Sequence, residues 1–133
     1  LLLTLAANVV ALTAKGAGGF ALLAPLSIPI VVGAGNSVLV HFSASGANPG
    51  GGSQTFFRLV LDGAVGAPIK KSTFTRGGGG GPGGESTAIV AKITGLVGLH
   101  LLEIWWDASA GLTTIDPVGA EHHATLLVEE VSV

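Results

Sequence analysis

Cysteine, methionine and tyrosine are all missing from this chain of 133 residues. Without cysteine there is no disulfide framework, no thiolate zinc site and no thiol nucleophile. Charge is scarce as well. Six Lys and Arg stand against eight Asp and Glu, 11% of the chain, for a net charge of −2. Nucleic-acid binding rests on clustered Lys and Arg. Here the one adjacent basic pair, Lys70-Lys71, reads as a solvated strand end, so no nucleic-acid partner is expected. Helix signals are missing too, since no stretch keeps a 3.6-residue apolar period between caps.

What is present is apolar. Hydrophobic residues make up 48% of the chain, and the mean hydropathy is +0.69. A soluble domain typically carries about 25% charged residues. A folded chain of this mass still shows water roughly 6,000 Å² of surface. So few charges cannot cover that area, and much of it must be apolar or plain Gly, Ala, Ser and Thr. Large exposed apolar patches mark interfaces. The composition therefore predicts a subunit buried against other subunits.

The chain is punctuated by 22 Gly and 6 Pro, and the runs between them are short and rich in Val, Ile, Leu, Phe and Thr. Such spacing predicts a sandwich or barrel. Leu1–Thr13 reads as a first strand. Phe20–Val32 follows, with Pro25 and Pro29 restricting it to two short edge pieces. Ser37–Ser45 alternates, with Val38, Val40 and Phe42 on one face and Leu39, His41 and Ser43 on the other. Thr55–Leu61 runs into Asp62-Gly63, a hairpin signal, and Ala67–Thr75 returns antiparallel. The run Gly77–Gly84 reads as a flexible surface loop, and no Gly-Lys-Ser/Thr closes it as a phosphate loop. Ser86–Thr94, Leu99–Asp107, Leu112–Ile115 and His123–Val133 complete the set. The prediction is a single all-β domain, a two-sheet antiparallel β-sandwich of jelly-roll type with about eight strands.

Residues with chemistry are few and scattered. His122-His123 beside Glu121 suggests a metal cluster, but neighbours on a strand point to opposite faces, and only in a loop could both rings share one ion; the plainer reading is a solvated strand entry. His41 and His100 stand alone in apolar strands, as hydrogen-bonded, half-buried side chains. Asp62, Asp107 and Asp116 fall in turns, where Asp bonds the local backbone, and no Asp-x-Asp-x-Asp calcium spacing occurs. No Gly-x-Ser-x-Gly elbow or His-Glu-x-x-His helix is found. Glu85 and Glu103 are too isolated to act as a catalytic pair. The reading is a non-enzymatic protein with no catalytic residue, cofactor or metal.

Interface candidates are the remaining features. Trp105-Trp106 on a strand sends one ring to the core and the other outward, and Phe56-Phe57 repeats this more weakly. Leu1, Leu3 and Leu5 lie in the apolar segment Leu1–Ala14. That segment reads as a strand, with the apolar part of a secretory signal as the alternative, although no basic residues precede it. It is too short to span a bilayer, and no membrane partner is expected.

Several phrases occur in an informative order. FRLVLDG covers Phe57–Gly63, Ile93-Thr94-Gly95-Leu96 leads to Gly98, His100 and the tryptophan strand, Asp116-Pro117 follows, and HATLLVEEV covers His123–Val131. Over Ser37–Val133 this resembles the jelly-roll domains of bacteriophage virion proteins, such as capsid decoration (cement) proteins and tail-fibre heads. Leu101 departs from that pattern, which often has Thr after the His. The resemblance implies a homotrimer on the virion surface, stabilising a capsid by contact with a major capsid protein or another virion protein. Two further readings stand beside it. A tail-fibre or adhesin head would bind a host glycan at an exposed Trp105 or Trp106. An extracellular filament subunit would donate its N-terminal strand to a neighbour's sheet.

Overall fold

The computed structural model describes residues 2–47, 53–75 and 85–132. Leu1, the Gly77–Gly84 run and most of the glycine loop before Ser53 lie outside these residues. The described chain forms ten strands: β1 (Leu3–Asn8), β2 (Thr13–Gly16), β3 (Ala21–Val32), β4 (Ser37–Gly46), β5 (Gln54–Leu61), β6 (Lys70–Thr75), β7 (Glu85–Ile93), β8 (Gly98–Ala108), β9 (Leu112–Ile115) and β10 (Ala124–Val131).

Pairing follows one rule. The first strand pairs with the last and the second with the ninth, and so inward through β3·β8, β4·β7 and β5·β6, all antiparallel. The chain is thus one long hairpin whose tip is the β5–β6 connection. Rolling that hairpin adds two pairings, β10·β4 and β5·β8. The result is a sheet of order β1-β10-β4-β7, a sheet of order β3-β8-β5-β6, and the small pair β2-β9. With β2-β9 set aside, eight strands remain in the expected two-sheet jelly-roll arrangement.

Alternation decides which side chains fill the space between the sheets. Val38, Val40, Phe42 and Ala44 of β4 are buried, as are Ala124, Leu126 and Val128 of β10. From the other sheet come Phe57 and Leu59 of β5 and Leu102, Ile104 and Trp106 of β8. Phe57 is at the centre, with ring centroids 5.1 Å from Phe42, 5.5 Å from Phe74 and 6.3 Å from Trp106.

The structure corrects three local expectations. The segment 1–13 is not one strand. β1 ends at Asn8, Val9 makes a last bond to the Ala124 carbonyl, and the chain then leaves to build β2 against β9. Phe20–Val32 is not two pieces either. It is one twelve-residue strand with a register break between Leu22 and Ser27, around Pro25. The prolines are tolerated because β3 is the edge of its sheet, where one side of the backbone needs no partner. Finally, Asp62-Gly63 does not close a tight hairpin. Both residues have the expected positive φ, 51° and 79°. Yet Asp62 is held by β8: its N–H donates to the Leu101 carbonyl (2.9 Å), and its Oδ1 accepts from the Leu101 N–H (2.8 Å). Pairing with β6 therefore begins only at Leu59 opposite Lys70.

Candidate functional site

Each paired aromatic divides between the interior and the outer surface. Trp106 and Phe57 are in the core, 2% and 0% exposed. Their role is packing. Trp105 and Phe56 are half-buried on the outer face of the β3-β8-β5-β6 sheet. Trp105 lies opposite Leu22 and Arg58, with Nε1 3.5 Å from the Glu103 carboxylate. Phe56 packs near Phe20, and the Arg58 guanidinium covers the Phe20 ring at 3.8 Å. Asp107 is a strand residue rather than a turn residue, and it ion-pairs with Lys15 at 3.3 Å. Leu5 packs against the core and Leu3 is 39% exposed on the edge strand β1.

The histidine pair lies in the loop before β10, not on the strand. His122 Nδ1 accepts from the Asp116 N–H (3.1 Å), and His123 Nδ1 lies 3.1 Å from the Ser45 hydroxyl. The two rings are thus committed to different partners. Asp116 caps its own turn by accepting from the Val118 and Gly119 N–H groups. The open cleft here, about 620 Å³, runs between Leu12, Thr114 and His122. Among the described residues no three His, Asp or Glu side chains converge on a point that could hold a metal ion.

The opposite end of the sandwich is different. Val31 of β3 pairs directly with Leu99 of β8, and Pro29 pairs with Leu101. Ile30 and Val32 are inward, so Val31 must point out. Val31 is 65% exposed and Leu99 71%, and Val97 in the adjoining turn is 63%. A shallow hollow of about 280 Å³ is lined by Pro29, Leu99, Leu101, Asp62 and His100. His100 Nδ1 is 2.7 Å from Asp62 Oδ2, and its Nε2 is 3.1 Å from the Val97 carbonyl. Both partners are acceptors, so the imidazolium, which donates from both nitrogens, fits best. The bond to Asp62 raises the His100 pKa above its ordinary value. The Leu101 N–H, then His100, lower that of Asp62. An apolar patch is thus bordered by a fixed charge pair.

A third surface is the outer face of the β1-β10-β4-β7 sheet. Its register places Thr4, Glu129, Leu39 and Lys92 in one row across four strands. The next row is Ala6, Leu127, His41 and Val90. The first row carries two charges, one on either side of Leu39, and small and apolar side chains dominate the second. His41 and Lys92 are exposed, and Val90 is 64% exposed. His41 Nε2 lies 3.8 Å from the Glu129 carboxylate.

Reading from sequence alone did not single out Val31 or Leu99. Both lie in strands that are apolar on both faces, so alternation alone does not say which phase points out. Searches against protein-family models and curated proteins find no match to this chain.

Proposed function

We propose that this chain is a non-enzymatic structural subunit that docks through its apolar end onto a larger assembly, as a capsid decoration protein of a bacteriophage virion. The observation that carries the reading is the exposed cluster of Val31, Val97 and Leu99, backed by the fixed His100–Asp62 pair. A rigid sandwich end that holds large apolar side chains in water is suited to be covered. The charge pair at its border gives the contact an orientation that apolar burial lacks.

The virion assignment rests on the sequence resemblance, together with the jelly-roll strand order. A shell role is favoured over a filament role because β1 completes its own sheet, pairing with β10 over Leu3–Asn8. The glycan reading is less favoured because Trp105 is flanked by Leu22 and Arg58 instead of standing free.

The test is co-sedimentation. Purified chain is mixed with phage particles from its source that have been stripped of it, then spun. The chain should pellet with the particles at a saturating, fixed copy number. Chain that stays in the supernatant at every concentration would count against the decoration role.

A further inference from the structure

We infer that the outer face of the β1-β10-β4-β7 sheet binds a second copy of this chain about a two-fold axis running along β4. The inference deepens the structural-subunit reading and rests on it. The face is self-complementary in charge. Lys92 and Glu129 lie in one row on either side of Leu39, each one strand away. They are two strand spacings apart, about 9.6 Å, too far to pair with each other. Among the described residues Lys92 makes no ion pair.

A two-fold axis along β4 exchanges the strands on its two sides. β7 of one copy then faces β10 of the other. Lys92 meets the second copy's Glu129, and the reciprocal pair forms at the same time. Val90 meets Leu127, while Leu39 and His41 meet their own counterparts. An axis across the strands at His41 would instead set Lys92 against Ala88 and Glu129 against Thr125, with no charge matched. Only the first axis uses both charges. Either axis keeps the strands of the two sheets aligned, one of the two ways in which sheets pack.

About the β4 axis three strands of each copy overlap, β10, β4 and β7, because β1 lies beyond the partner's edge strand. At about 4.8 Å between strands and some eight residues of about 3.3 Å each, the overlap is a flat area of roughly 380 Å². Pleat and side chains add to this, giving a contact smaller than the ~800 Å² per partner of a standard interface. The contact is isologous and closed, as two-fold contacts are. It is therefore distinct from a three-fold contact, and it would join two trimers as readily as two single chains.

Charge exchange tests it. Mass in solution is measured for wild type, Lys92→Glu, Glu129→Lys, the double variant and an equimolar mixture of the two single variants. Wild type should contain an even number of copies, and each single variant should associate at least tenfold more weakly. In the mixture one chain carries two carboxylates at these positions and the other two ammonium groups. Both opposed pairs then join unlike charges again, so association should recover; the double variant should recover too. Single variants that keep the wild-type mass, or a mixture that stays dissociated, would overturn the two-fold.

A second probe does not depend on charge. The chain has no cysteine, so Leu39→Cys carries one thiol, placed on the proposed axis. A short bis-maleimide should link two Leu39→Cys chains and leave Thr4→Cys chains, two strands off the axis, unlinked. Equal linking at both positions, or none at Leu39→Cys, would overturn the axis. Loss of particle binding with the pairing intact would refute the decoration role alone. The reverse result would refute this face alone.

Discussion

Phe57→Ala should destabilise the fold by roughly 3–5 kcal/mol, the range for deleting a fully buried aromatic ring. Phe57 has no exposed surface and touches rings from three other strands: Phe42 from the facing sheet, and Phe74 and Trp106 from its own. Removing it opens a cavity where the two sheets meet, and rings anchored on separate strands cannot collapse into it freely. For 133 residues, unfolding entropy of about 2.1 cal/mol/K per residue turns that loss into a Tm drop of roughly 11–18 °C. The whole stability of such a domain is about 5–15 kcal/mol, so the variant sits near the edge of folding. Phe56→Ala, one residue away on the outer face, should cost only about 1 kcal/mol. Thermal unfolding followed by circular dichroism reads both. Equal losses would mean that β5 presents the wrong face to the core, a one-residue register error.

The double substitution Val31→Glu, Leu99→Glu should abolish particle binding while leaving the fold intact. Each side chain is mostly in water in the free subunit, so the exchange removes little that holds the sandwich together. On docking the balance reverses. Burying an aliphatic side chain of this size contributes about 1.5–3 kcal/mol, whereas a carboxylate without a partner resists burial. Loss of about 3 kcal/mol per chain is already more than a hundredfold in affinity, and many copies on one particle multiply the effect. The expected result in the co-sedimentation assay is protein left in the supernatant that still unfolds cooperatively, with a Tm lowered by only a few degrees because the two carboxylates stand directly opposite each other. Undiminished pelleting would place the docking surface elsewhere on the molecule.

How far the structure can be read from sequence varies from strand to strand, for physical reasons. β4 and β10 are legible because each buries one face only, so Val38, Val40 and Phe42, and again Ala124, Leu126 and Val128, stand in strict alternation. The sandwich follows from them and from the spacing of the turns. The β2-β9 pair is only half legible: β9 stands in the sequence as Leu112–Ile115, but β2 and its pairing with β9 do not. Its strands have four residues each, and their partnership is set by the long hairpin, not by any local pattern. β3 misleads because prolines weighed locally break a strand, whereas an edge position makes them harmless. The candidate surfaces are the least visible part. The Val31–Leu99 contact and the Lys92–Leu39–Glu129 row exist only through pairings between segments distant in the chain.

A chain with 11% charged residues is, we propose, built to be covered by copies of itself and by a larger partner. Sedimentation equilibrium of the wild-type chain across a wide concentration range tests it most directly. The expected result is a defined multiple of 13.1 kDa that persists to low concentration. A single well-behaved species of 13.1 kDa at every concentration would contradict it.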